Sequence, residues 1–264
     1  ATGQVFNSIV AVEQYQAIPV AAQSSPLHPG GVIDFARGFG GIDLRVQRAT
    51  AGGALTLGVS VDRLDEDRRG YENYTGPMSE PQLGVRGRLR RDEANRVESL
   101  DAYAQVEHRL DARWRLHAGA RASRVAFSSR DRYVAGANGD DSGSLDYSGF
   151  TPTVGLVRRE GNASVYLAYG RGFETPTLNE LAYRPDGSAG FNAGLRAARS
   201  DHVELGAKTQ ADAAQASVAL FAVRTRDDIV VRTSAGGRAS FANVEGTERR
   251  GAEAAVRWRP AALA

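Results

Sequence analysis

Seven stretches of this chain alternate polar and apolar residues with period two, which commits the chain to sheets with one apolar and one polar face. In residues 54–64 the odd positions are Leu55, Leu57, Val59 and Val61, and the even ones are Thr56, Gly58, Ser60 and Asp62. Residues 99–110 set Leu100, Ala102, Ala104, Val106 and Leu110 against Asp101, Tyr103, Gln105, Glu107 and Arg109, with His108 the one polar residue on the apolar side. Residues 113–127 set Trp114, Leu116, Ala118, Ala120 and Ala122 against Arg115, His117, Gly119, Arg121 and Ser123. The pattern returns around Phe150, Val154 and Leu156, around Val165, Leu167 and Tyr169, around Val203, Leu205 and Ala207, and around Ala252, Ala254, Val256 and Trp258. Two arginines and a histidine on one face cannot sit in a dry core without partners, so the polar faces belong in water or in a polar network.

Such alternation also fits a soluble antiparallel sandwich, and the connections separate the two folds. Short links are expected at 51–53, 111–112, 160–162 and 211–213, and long ones at 65–97, 128–143, 172–200 and 227–246. Short and long take turns, which puts every long loop at the same end, the layout of an outer-membrane β-barrel. Trp114 and Trp258 both lie beside short turns, where an aromatic girdle belongs.

Composition narrows the partners. No apolar run approaches the roughly 20 residues of a transmembrane helix, whereas a membrane-spanning strand needs only about 9–11. A net charge of +2, from 33 basic and 31 acidic residues interleaved along the chain, gives no footprint for nucleic acid. The absence of Cys removes disulfides, thiolate metal ligands and thiol nucleophiles, and thirty Gly suit a sheet that must bend and pack closely. Ala1 is followed by no signal-peptide pattern, and the chain stops at Trp258-Arg259-Pro260-Ala261-Ala262-Leu263-Ala264, just where a turn should lead into a further strand, so it reads as an interior piece of a longer protein.

From Tyr169 to Glu253 the sequence carries a recognisable set of motifs. Tyr169-Gly170-Arg171-Gly172-Phe173-Glu174-Thr175-Pro176 is an aromatic-Gly-x-Gly-Phe-x-x-Pro element, Glu204-Leu205-Gly206-Ala207-Lys208 a Glu-x-Gly-x-Lys strand, and Asn243 with Arg250-Gly251-Ala252-Glu253 an Asn…Arg-Gly-x-Glu strand. Ala219-Leu220-Phe221 followed by Asp228-Ile229-Val230, and upstream Asp101 to Glu107 with Trp114 to Arg121, fit the same set. In these residues the chain resembles the barrel domain of TonB-dependent outer-membrane transporters, over roughly residues 41 to 260.

That resemblance implies an all-β fold: an antiparallel transmembrane β-barrel segment supplying nine or ten strands of a barrel of about 22, with short periplasmic turns and long extracellular loops. Residues 41–264 are read as that barrel segment and residues 1–40 as a barrel or loop segment without a clear pattern; the TonB box, the plug domain and the C-terminal strands are missing from it. The resemblance also implies a Gram-negative outer-membrane location and uptake of a scarce, large solute, a ferric siderophore or a cofactor such as pyrroloquinoline quinone. The implied partners are the TonB–ExbB–ExbD complex, reached through the missing N-terminal region, the transported solute and outer-membrane lipid. A passive porin-like channel and a surface-exposed all-β binding protein are the alternatives.

Candidate ligand contacts are the Arg and aromatic residues of the long links: Arg68, Arg69, Tyr71, Tyr74, Arg130, Arg132, Tyr133, Arg171, Phe173, Tyr183, Arg184 and Phe191. Guanidinium forks and aromatic faces suit an anionic chelate or quinone; packing between loops is the competing role for the aromatics, and a strand end bending into a loop is the competing role for Arg171 and Phe173. The luminal charges Glu107, Arg109, Arg115, Arg121, Glu204, Lys208, Arg249 and Glu253 are expected to pair across strands and with a plug. His28, His108, His117 and His202 lack metal-site spacing, and Asn138-Gly139-Asp140-Asp141 lacks the downstream Glu of a calcium loop. No resident cofactor and no enzyme are expected: His117 and Ser123, a Ser–His pair on one strand face, stand about 20 Å apart in an extended strand.

Overall fold

Ten strands form a single antiparallel sheet in the computed structural model, which describes residues 1–211, 213–235 and 237–258. They are β1 (Thr2–Tyr15), β2 (Val32–Thr50), β3 (Gly53–Tyr71), β6 (Leu89–Arg109), β7 (Trp114–Asp131), β8 (Gly143–Glu160), β9 (Ala163–Glu174), β10 (Ala198–Gln210), β11 (Ala214–Ala235) and β12 (Arg238–Trp258). The two-residue strands β4 (Tyr74–Thr75) and β5 (Gln82–Leu83) form a separate small hairpin, and α1 (Leu178–Leu181) is a single turn. Each long strand pairs with its neighbours in sequence, so the sheet is a meander with β1 and β12 at its edges. Residues 1–40 supply β1, a short 3₁₀ turn at Val20–Ser24 and the start of β2. The chain end, where a turn into a further strand is expected, lies outside the described residues.

Register carries the alternation across strands. Leu116 pairs with Leu156, Leu156 with Leu167, Leu167 with Leu205, and Leu205 with Leu220, so one row of leucines crosses five strands on the convex face. Ile42, Val61 and Leu100 form a similar row over β2, β3 and β6. These side chains are open to the surroundings, Leu100 by 51% and Leu220 by 55%. A continuous apolar face of this extent is stable in lipid and not in water. Among the described residues no helix is long and apolar enough to cross a membrane.

The strands run well past the length that a bilayer requires. β3 and β6 continue to Tyr71 and back from Leu89, so the link expected over 65–97 shrinks to 72–88. The link expected over 227–246 is for the most part strand: β11 reaches Ala235 and β12 resumes at Arg238, a tight hairpin at the loop end in place of a long loop. The remaining loops at that end are 16–31, 132–142 and 175–197. Both Trp114 and Trp258 sit on the convex face at the short-turn end. There Asp111 accepts the N–H groups of Arg113 and Trp114, which hold its carboxyl below the usual range and fix the β6–β7 turn.

Candidate functional site at the loop end

Loop 175–197 folds down onto the concave face of the sheet. Thr177 starts α1 with a reciprocal capping box, its hydroxyl accepting from Glu180 N–H while the Glu180 carboxylate accepts from Thr177 N–H at 2.7 Å. The turn drives Leu181 into an apolar cluster with Phe127, Tyr147, Phe191 and Leu195, and Val97, Val125, Leu145, Phe173, Ile229 and Phe241 pack around it. Strand residues of the concave face thus meet loop residues, and Leu181 is completely buried. Polar ties complete the docking: Tyr147 donates to Leu195 O at 2.7 Å, and Asn243 exchanges hydrogen bonds with the backbone of Arg196 on both sides. A side chain at Gly149 would collide with the Phe173 ring, so the glycine makes room for that packing.

Beside this cluster lies a network of charge. Arg37 donates to Glu66 across the β2–β3 pair, Asn95 donates to Glu66 at 3.2 Å, and Arg91 grips Glu93 with two nitrogens at 2.5 and 2.8 Å. Tyr183 from the loop enters here, with the Arg238 guanidinium 4.3 Å and the Arg91 guanidinium 5.5 Å from its ring centre. Arg238 also pairs with Asp141 at 3.5 Å, donates to Leu27 O at 2.6 Å and reaches Asn138. Burial pushes the Tyr183 phenol up and the Asp141 carboxyl up, although the Gly190 N–H and Arg238 favour the Asp141 charge. One guanidinium therefore ties together loops 16–31, 132–142 and 175–197.

The twelve candidate residues divide by the face they occupy. Arg68 is on the concave face, donating to Asn179 at 2.6 Å, and Tyr183 stands in the charge network. Phe173 and Phe191 belong to the apolar cluster, and Tyr74 is buried in the β4–β5 hairpin. Tyr71 lies under Arg86, whose guanidinium is 4.3 Å from the ring centre. Tyr133 N–H donates to Asp131, Arg132 pairs with Asp67 at 3.0 Å, and Arg184 is exposed at the loop surface beside Asp186. Arg69, Arg130 and Arg171 share the convex side with the apolar rows, away from Tyr183. The residues that the sequence reading did not single out are Arg37, Glu66, Arg91, Glu93, Asn95 and Arg238. Five of them fall within stretches expected to be loop, and the alternate spacing of Arg91, Glu93 and Asn95 was the available signal.

Residues 17–264 match the family described as TonB dependent receptor-like, beta-barrel. The chain belongs to this family. Its barrels reside in the Gram-negative outer membrane, and its members are transporters and receptors rather than enzymes. The receptor barrel superimposes on the copper transporter OprC with a TM-score of 0.76 at 17% identity, covering 98% of this chain and 41% of that one. It matches the ferric yersiniabactin uptake receptor FyuA from Yersinia pestis with a TM-score of 0.66 at 16% identity, over 88% of this chain and 34% of that one. For the ferric citrate transporter FecA the TM-score is 0.68 at 16% identity, over 97% and 36% of the two chains. This chain thus spans well under half the length of each of these proteins.

Toward the short-turn end, the lumen of the receptor barrel holds a second set of charges. Arg115 pairs with Glu107 at 2.8 Å and Arg121 with Asp101 at 2.8 Å. Tyr166 donates to Glu204 at 2.5 Å, and the Lys208 ammonium sits 5.2 Å from the Tyr166 ring centre. Among the described residues no group of three or more His, Asp or Glu is placed to hold a metal ion.

Proposed function

We propose that this barrel is part of an energy-coupled importer whose loop end recognises a large anionic solute, a ferric siderophore or a cofactor such as pyrroloquinoline quinone. The observation that carries the reading is Tyr183, held at the mouth of a TonB-dependent receptor barrel between the guanidiniums of Arg91 and Arg238. Arginine forks meet carboxylate, catecholate or phosphate oxygens bidentately, and an aromatic face stacks on a planar chelate. Exposed Arg184 extends the same chemistry to the loop surface. The names of the structural neighbours, a copper transporter and receptors for ferric yersiniabactin and ferric citrate, support metal or metal-chelate cargo. Energy would reach the barrel from TonB–ExbB–ExbD through the plug of the whole receptor, against which Glu107, Arg115, Glu204 and Lys208 are available to pair.

The test is growth and uptake in cells deleted for the whole gene, across a panel of ferric chelates and quinone cofactors, with and without a protonophore. Loss of uptake of one solute, and collapse of the wild-type uptake when the proton gradient is discharged, are expected. Uptake that survives the protonophore would make the barrel a passive channel instead.

A further inference from the structure

On the convex face of β9–β12 the apolar band gives way to arginine within two rows. The row Leu167–Leu205–Leu220–Ala252 is followed by Tyr169–Val203–Ala222–Arg250, then by Arg171–Asp201–Arg224–Glu248, then by Arg199–Arg226–Gly246, beside which Phe173 packs into the apolar cluster. Five arginines share two carboxylates. Asp201 already accepts from Arg171 at 3.2 Å, Arg226 at 3.0 Å and the Tyr169 hydroxyl at 2.7 Å. Glu248 serves Arg250 at 3.2 Å and Arg224 at 3.9 Å. Among the described residues Arg199 has no carboxylate within ion-pairing distance, and it stands directly opposite Arg226. Like charges facing each other across a strand pair destabilise the sheet unless an anion lies between them.

The other half of the sheet is built differently. On β3, β6 and β7 the convex-face residues Arg63, Arg69, Arg96 and Arg124 each lie within 3.7 Å of a carboxylate, from Asp65, Asp92, Asp65 and Asp146 respectively, and Arg130 near the end of β7 stands alone, with no second arginine opposite it. The clustered positive surplus therefore lies on β9–β12, and its guanidiniums stay open, Arg224 by 74% and Arg250 by 78%.

We propose that Arg171, Arg199, Arg224, Arg226 and Arg250 form a docking site for the phosphate headgroup of an anionic lipid in the loop-side leaflet of the membrane. The guanidinium fork matches phosphate oxygens, and several forks within two rows, each row step about 7 Å, can converge on one headgroup. The occupant is a lipid rather than free phosphate because the site is continuous with the apolar rows: chains lying on Val203, Leu205 and Leu220 hold the headgroup against the arginines. It bridges Arg199 and Arg226, which no carboxylate of the described residues does.

The full-length receptor, purified in nonionic detergent, is titrated with mixed micelles containing phosphatidic acid, with phosphatidylcholine and with inorganic phosphate, while its unfolding temperature is followed. Phosphatidic acid is expected to raise that temperature saturably, and the other two additions are not. R199Q/R226Q is expected to raise the half-saturating phosphatidic acid concentration about tenfold, since charge-assisted hydrogen bonds are lost, while R63Q/R96Q leaves it unchanged. In phosphatidylcholine the R199Q/R226Q receptor should unfold at or above the wild-type temperature, because the facing charges are gone. If the double variant does not fold, R199Q alone removes the facing charge and carries the same expectation at smaller size. Equal stabilisation by phosphatidylcholine or inorganic phosphate, or equal effects of the two variant pairs, overturns the proposal.

Discussion

Tyr183 and Arg238 are held face to guanidinium, 4.3 Å apart, although they come from loop 175–197 and from the far β11–β12 hairpin. Because Arg238 also binds Leu27 O, Asn138 and Asp141, replacing it removes ties to three loops at once. R238A should therefore lower amide protection together in loops 16–31, 132–142 and 175–197, by roughly 1–3 kcal/mol of local opening energy. Hydrogen exchange read by mass spectrometry checks this; loss confined to one loop would show that the ties act separately. Y183F keeps the ring and should retain most of the protection.

Leu181 is the residue on which the docked loop closes. It is fully buried among Phe127, Tyr147, Phe191 and Leu195, and its removal would leave a cavity between loop and sheet. Leu181→Ala is expected to cost about 2–5 kcal/mol of loop docking, and Thr177→Ala about 1 kcal/mol through loss of the capping box. Proteolysis within loop 175–197 should speed up in both variants, more in the first. The strands should still migrate as a folded barrel on unheated gels, since the cluster lies outside the apolar rows.

The membrane-spanning part of each strand was legible in the sequence because lipid on one side and water on the other force strict alternation, as at Leu55 to Asp62. Beyond the bilayer that constraint ends. At Arg63, Asp65 and Asp67 the convex face is charged, and at Glu66 and Arg68 so is the concave face, so β3 loses its periodic signal while its hydrogen-bond ladder continues to Tyr71. Thr233, Ser234 and Ser240 hid the β11–β12 hairpin in the same way. Site residues hidden in those stretches, Arg91, Glu93 and Arg238, were missed for that reason, and the apolar Phe191 gave no sign of which cluster it would join. Pro176 did announce the exit from β9: it is buried immediately before the Thr177 cap.

Gly237 tests how tightly the two ends of the loop ring meet. Its φ is +78°, where a side chain is strained, and a Cβ there would lie 2.5 Å from the His28 ring. Gly237→Ala therefore carries a backbone penalty of roughly 1 kcal/mol plus displacement of His28. The expected result is faster exchange of the amides in loop 16–31, with loop 175–197 affected less. An alanine receptor whose exchange matches wild type would mean that His28 does not pack against the hairpin.

His28 makes that same contact dependent on pH. It is buried to 3% exposure, and its Nδ1 accepts the Gly30 N–H at 3.0 Å, which requires the neutral ring. Burial, followed by the positive charge of Arg90, moves its pKa below the ordinary value of 6.5. A group whose pKa is depressed in the fold contributes stability that is complete above its unfolded value and disappears as pH falls through the folded one. Loop 16–31 should thus be fully docked at pH 7.5 and should loosen progressively below about pH 6.5, with protonation at Nδ1 displacing the Gly30 N–H. His28→Asn preserves an acceptor without a titrating group, so its exchange profile, corrected for the intrinsic pH dependence of exchange, should stay flat where wild type falls. If the asparagine variant shows the same acid loosening, the titrating group is elsewhere; it is not Glu72, whose carboxyl Arg88 and Arg90 hold below the usual range despite its burial and which stays ionised in that window.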